Sequence, residues 1–351
     1  MSIDLRSDTV TRPGAAMRQA MAQAEVGDDV LDGDPTVALL QERVCALLGT
    51  DRALYFPSGT MANQAALWLL GTRGTEVLLD AEAHIAHWEL AGAAALAGLQ
   101  LRPVRGDGLV MDAAALRRTI RPSSPHAPRA TLVCVENTHN GAGGVVTPLA
   151  ELRAIREVAR EHGLPVHMDG ARLWNAAVAT GTPLADFAGC ADTVMVSFSK
   201  GLGAPVGAVL AGSAGAMAHG WEVRKRLGGG MRQSGILAAA ALHGLEHHMG
   251  RLAEDHANAR LLADRVDGVG GARVVPPDTN IVMVDLPDGV SAPDVVARMA
   301  ERGVRITAWS PTRIRAVTHL DVSRSDVESA AEGLVEVLEA GARAGTAALR
   351  S

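Results

Sequence analysis

The sequence predicts an α/β protein in which a mostly parallel, seven-stranded sheet is sandwiched between helices and followed by a smaller α+β unit. Two patterns and a length carry this. From about Ala53 onward, short apolar runs rich in β-forming residues alternate with helical patterns, as they do where crossover helices join parallel strands. After Ser234 the alternation gives way to long helical patterns and then to a mixed strand-and-helix order. At 351 residues the chain exceeds one small domain and can hold a large core plus a smaller one.

In chain order, the strands expected are 53–56, 76–79, 101–104, 131–135, 165–168, 193–198 and 207–211, with helices such as 148–161 between several of them. Pro148 suits an early helix position, where its missing N–H would be unpaired anyway. A helical pattern runs from about 234 to 266 as a connector. Beyond it come a β run at 279–285, a helix at 292–301, β runs near 304–306 and 313–317, and a last helix from 324 to about 342. The division expected is a large unit of residues 1–250 and a small one of 251–351.

Composition narrows the function. With 48% hydrophobic, 21% charged and 38 glycine residues, the chain suits a compact, turn-rich enzyme, and with only 3% aromatics its core must be packed from Ala, Val and Leu. A net charge of −6 offers no global field for a nucleic-acid backbone. Cys45, Cys134 and Cys190 are odd in number and widely spaced, which suggests neither a disulfide framework nor a structural zinc site. The N-terminus is charged where an export signal would be apolar, and the apolar windows fall short of the ~20 residues that span a bilayer, so a cytoplasmic protein is expected.

Two segments place a reactive side chain just past a predicted strand: Val166-His167-Met168-Asp169-Gly170-Ala171-Arg172 and Val194-Met195-Val196-Ser197-Phe198-Ser199-Lys200-Gly201. In open parallel sheets ligands bind outside the carboxyl ends of the strands, so Asp169 and Lys200 are expected to face one crevice. A lysine there can form an imine once its amine is freed by desolvation or a nearby cation. Pyridoxal phosphate is a strong electron sink when its pyridine nitrogen is protonated, and an aspartate beside that nitrogen keeps it so. Phe56-Pro57-Ser58-Gly59-Thr60-Met61-Ala62-Asn63 adds a strand, a short turn and a helix start, whose unpaired N–H groups suit a phosphate monoester. Each element alone is ordinary; together they point to pyridoxal 5′-phosphate.

Two other patterns read as incidental. Gly201 to Gly207 superficially suggests a dinucleotide loop, but a β-like run follows it where such a loop opens a helix. His243 and His247 lie four apart on a helical pattern with no visible third ligand, so solvent-facing histidines are expected and no metal site.

The motifs Ile3-Asp4-Leu5-Arg6-Ser7-Asp8-Thr9-Val10-Thr11, Gly27-Asp28-Asp29-Val30, Asp34-Pro35-Thr36, Glu136-Asn137-Thr138-His139-Asn140, Asp169-Gly170-Ala171-Arg172, Ser199-Lys200-Gly201-Leu202-Gly203, Gly228-Gly229-Gly230-Met231-Arg232-Gln233-Ser234 and Val317-Thr318-His319-Leu320-Asp321 occur in order from residue 3 to about 335. In them the chain resembles the low-specificity L-threonine aldolases. The resemblance implies the aspartate-aminotransferase-like type I fold of pyridoxal-phosphate enzymes and a homotetramer with active sites at a dimer interface. The activity implied is carbon–carbon cleavage of L-threonine, L-allo-threonine or related β-hydroxy amino acids to glycine and an aldehyde.

Carried over by motif, Lys200 is the imine-forming lysine, Asp169 the partner of the pyridine nitrogen, and Ser58, Gly59 and Thr60 the phosphate site. His84 matches the imidazole that stacks on the cofactor and can reach the substrate hydroxyl. Ser7, Arg172 and Arg315 match residues that bind the substrate carboxylate, a task suited to a planar guanidinium fork. Lys225 and Arg232 match basic residues given to the neighbouring subunit's cofactor site, and His126 aligns, by its spacing before Glu136, with a substrate-hydroxyl contact. The chain departs from the family at Leu31, where a tyrosine often follows Gly-Asp-Asp-Val, which puts the preferred β-substituent in doubt. Two alternatives stay open: another pyridoxal-phosphate reaction on the same scaffold, such as alanine racemisation, transaldolation or β-elimination, and a non-catalytic protein on this fold.

Overall fold

The computed structural model describes residues 2–348, with side-chain surroundings described through residue 341. All seven strands of the expected sheet form. Across it they run Arg52–Phe56, Ala208–Gly212, Thr193–Ser197, Val166–Gly170, Ala130–Glu136, Glu76–Asp80 and Gln100–Val104. Six of them run in one direction, and Ala208–Gly212 alone runs antiparallel to both its neighbours. The period-2 alternation of a strand divides the core accordingly. Ala53, Tyr55, Leu78, Val133 and Val135 pack on one face under Pro35–Leu48 and Leu149–Glu161. Leu54, Phe56, Val77, Leu79 and Leu132 pack on the other, under Gly59–Leu70 and Ala214–Arg226.

Several expectations shift by a residue or two for identifiable reasons. Pro148 is the N-cap rather than a helical residue. The connector pattern 234–266 divides into Gly235–His247 and Leu252–Val266, interrupted around Gly250. Asp169 lies inside its strand rather than past it, because ladder pairing continues through Glu136 on one side and Met195 on the other. Lys200 stands three residues beyond Thr193–Ser197, as a residue past a strand end should.

The C-terminal part carries a four-stranded antiparallel sheet ordered Thr307–Ser310, Arg313–Val317, Ile281–Asp285 and Arg273–Val275. Its core is a separate apolar cluster that includes Leu262, Val284, Val295, Ile314 and Leu334. Leu5 belongs to that second cluster, since Ile3–Asp4 pairs in parallel with Val304–Arg305. No helix among the described residues is long and apolar enough to cross a membrane.

Candidate active site

One cleft opens at the carboxyl ends of the parallel strands, with a cavity volume of about 190 Å³. Its wall includes Ser58, Gly59, Thr60, His84, Asp169, Arg172 and Lys200, so seven of the residues singled out from sequence converge in a single chain. All but Asp169, which lies within its own strand, arrive by the same device, a strand that ends and hands its chain to a loop or helix start at the cleft.

Ser58 is extended (φ −150°, ψ 155°) and caps Gly59–Leu70, its hydroxyl oxygen accepting from the Met61 N–H at 3.2 Å. The first N–H groups of that helix point toward the cleft with the partial positive charge of a helix start. A Cβ added to Gly59 would sit 3.2 Å from the Met195 methyl, so this start is kept as bare backbone by close packing.

Lys200 is partly buried, and among the described residues no carboxylate pairs with its amine. Burial lowers its pKa, the Arg172 guanidinium adds to that effect, and Asp8, Asp169 and Glu136 oppose it. Opposite stands Asp169, buried, its two oxygens accepting from the Ala171 N–H at 3.1 Å and the Asn63 amide at 2.8 Å. His84 begins a short helix. Its backbone N–H donates to Glu136 at 2.7 Å, and its Nδ1 lies 3.0 Å from Glu89. Burial would lower the His84 pKa; the Glu89 hydrogen bond, with Asp169 and Glu136 nearby, raises it instead.

At the far end Arg172 forms a buried two-bond pair with Asp8, both contacts 2.7 Å. Burial would push Asp8 up, but Arg172 holds it well below the carboxylate range. The remaining Arg172 Nη1 and the Arg315 Nη1 both donate to the Asn140 carbonyl oxygen, at 3.3 and 3.0 Å. Arg315 lies 4.7 Å over the Trp309 ring, and its Nε is buried without a partner. Burial and then Arg172 draw the Arg315 pKa down to about 10. Two guanidinium groups at one short amide make a place where an anion would be stabilised.

The other expected residues lie elsewhere. Ser7 caps the turn that presents Asp8 and is itself outside the cleft lining. His126 is exposed in the loop that enters the amino end of Ala130–Glu136, the opposite end of the sheet from the cleft. Lys225 and Arg232 are exposed, the latter 3.2 Å from Asp28, and Leu31 is 75% exposed. Sequence reasoning assigned no role to Asn63, Glu89, Glu136 or Asn140. Three of these lie in segments already singled out, so their presence was visible and their task was not. Glu89 lay in none, and only the fold brings it to His84.

A strand-end lysine, an opposing aspartate and a helix-start anion site define a type I carbonyl-cofactor scaffold, and solved structures agree on the fold. The threonine aldolase of Leishmania major superposes with a TM-score of 0.81 at 20% identity, over 96% of this chain and 99% of that one. In sequence, residues 4–288 match the beta-eliminating lyase family. The low specificity L-threonine aldolase of Escherichia coli (strain K12) is 43% identical over 332 residues, 94% of this chain and 97% of that protein. The alanine racemase TOXG of Cochliobolus carbonum is 34% identical over 350 residues, 96% of this chain and 88% of that one. The chain belongs to the beta-eliminating lyase family, in its low-specificity L-threonine aldolase branch.

Proposed function

We propose that this chain is a pyridoxal-5′-phosphate-dependent carbon–carbon lyase that cleaves L-threonine, L-allo-threonine and related L-β-hydroxy-α-amino acids to glycine and an aldehyde. The observation that carries the reading is Lys200 facing Asp169 across a cleft whose rim is the start of Gly59–Leu70. The residues present fit the cofactor. The Gly59 approach leaves backbone N–H groups open for a phosphate, and the lysine amine is depressed rather than salt-bridged.

When bound, the cofactor supplies an electron sink for whichever substrate bond lies perpendicular to its ring. The chain's residues do the rest. Ser58, Gly59 and Thr60 hold the phosphate, Lys200 provides the anchoring amine, and Asp169 faces the pyridine nitrogen. Arg315, Arg172 and Ser7 orient the substrate carboxylate, a task suited to the planar guanidinium fork. That grip would fix the rotation of the substrate about its Cα and so which of its bonds is presented for breaking, the choice that separates cleavage from racemisation. With Nδ1 engaged by Glu89, Nε2 of His84 is the ring atom left to hold a proton at the β-hydroxyl.

His126, Lys225 and Arg232, exposed on one chain, act in this reading on the cleft of a second copy within a homotetramer. The division near residue 250 and a cytoplasmic location belong to the same proposal. The test is product analysis with L-threonine and L-allo-threonine. Acetaldehyde and glycine are expected in equal amounts, whereas racemised alanine with no aldehyde from either substrate overturns the reading.

A further inference from the structure

Behind the cleft a chain of buried polar groups runs from the sheet to His84. The amide nitrogen of Asn63 lies 2.8 Å from both Glu89 Oε1 and Asp169 Oδ2, and its oxygen lies 3.0 Å from His167 Nε2. His167 Nδ1 is 2.9 Å from the Thr193 hydroxyl. Gln64 donates to the other Glu89 oxygen at 2.6 Å, and His84 Nδ1 shares Glu89 Oε1 with Asn63. Asn63, Glu89, His167, Asp169 and Thr193 are all at most 4% exposed.

These partners leave one consistent proton arrangement. Two carboxylate oxygens at hydrogen-bond distance require the NH₂ side of Asn63, whose two hydrogens match them one to one. The Asn63 oxygen then needs a donor, so His167 carries its proton on Nε2, and Nδ1 accepts from Thr193. Burial holds His167 neutral by drawing its pKa down to about 4. In the other amide orientation an oxygen would oppose two carboxylates in a dry site, which is costly.

Resting on the function proposed above, we infer that Asn63 is a positioning residue that joins the carboxylate facing the cofactor's pyridine nitrogen, Asp169, to the carboxylate that orients His84, Glu89. Its amide gives one hydrogen to each of two neighbouring carboxylates, and His167 with Thr193 locks the amide in that orientation. The proton at His84 and the charge beside the cofactor ring therefore respond to one another. The titratable groups facing this amide are Asp169, Glu89 and His167, with Cys134 and His84 beside the two carboxylates and Glu136 beyond.

The first measurement is nitrogen NMR of the imidazoles, with and without pyridoxal phosphate. His167 is expected as a neutral Nε2–H tautomer from pH 5 to 8 (about one unit above its depressed value and beyond) in both forms; an Nδ1–H tautomer or an imidazolium at pH 7 overturns the inference. The second follows the cofactor's visible absorbance against pH. Without the amide, Asp169 and Glu89 face each other with no donor between them, so Asn63→Ala should move the midpoint by about one unit and lower kcat about tenfold, with KM changed far less. His167→Gln, which keeps a donor near the Nε2 position, should stay close to the parent, while His167→Leu should follow Asn63→Ala. An unmoved midpoint in Asn63→Ala, or equal damage from Gln and Leu at 167, counts decisively against it. If these variants do not fold, the tautomer of the parent protein still decides. A parent protein that never takes up the cofactor refutes the functional reading instead, and leaves the tautomer measurement intact.

Discussion

The walls of the cleft and the exposed residues assigned to it were read from the same motifs, yet the structure treats them differently. Ser58, His84, Asp169, Arg172 and Lys200 converge because each sits at or beyond the carboxyl end of a strand in one sheet, and the ladder fixes those ends relative to one another. His126, Lys225 and Arg232 sit on a loop, on the outer side of Ala214–Arg226 and after its end, and nothing within their own chain carries them inward. One chain thus gathers the first set around its cleft and leaves the second on its surface.

The sharpest way to break this contrast is Lys200→Ala. It should remove the cofactor's visible absorbance and lower kcat by roughly a thousandfold or more; retained turnover would mean that the cleft is not the site. Next, Arg315→Leu should raise KM about a hundredfold, the loss expected of a bidentate charge-assisted contact, while cofactor absorbance persists.

Mixing tests the rim directly. Lys200→Ala and Arg232→Ala copies, each impaired alone, should recover about a quarter of the parental activity when co-refolded, since half the pairs are mixed and each mixed pair holds one intact site. No recovery would return Arg232 to a purely surface role beside Asp28.

A smaller effect concerns pH. Glu89 raises His84 above an ordinary imidazole, so the stability linked to that proton is fully present below about pH 6.5 and is lost as pH rises through the folded value. Glu89→Gln leaves burial as the main influence. The sign should then reverse in thermal melts: burial favours the neutral imidazole in the folded protein, so the linked stability should rise rather than fall as pH climbs through about 6.5. The smallest is Ser58→Ala, which removes an N-cap and should cost about 1 kcal/mol of stability in the cofactor-free protein.

How far the sequence reaches follows the same line. The seven strands were legible because their apolar runs are bounded by turn residues. The strand Thr307–Ser310 was not, since its residues are only partly buried or exposed and give no clear alternation. Ile3–Asp4 is two residues long and depends on a partner three hundred positions away. At the site, Lys200 and Asp169 were legible as a pair of strand ends. Glu89 was not, because a lone glutamate beside an exposed tryptophan looks like surface until the fold turns it inward to Asn63, Gln64 and His84. Lys225 and Arg232 were legible by motif alone, which names a residue without saying whose cleft it serves.

The clasp made by the first residues of the chain bears on timing. Leu5 donates to the Arg305 carbonyl at 2.7 Å and accepts from the Val317 N–H at 2.8 Å, Asn280 reaches Asp8 at 3.1 Å, and the Thr11 hydroxyl reaches the Lys200 carbonyl at 3.2 Å. During synthesis the N-terminal segment emerges first but has no ladder to join until residue 305 has been made, and no partner for the Leu5 carbonyl until residue 317. A ribosome-bound chain with a finished sheet would therefore already own Lys200 and Asp169 while its Asp8–Arg172 anchor was still waiting. The Asp8–Arg172 end of the cleft is the last to be assembled.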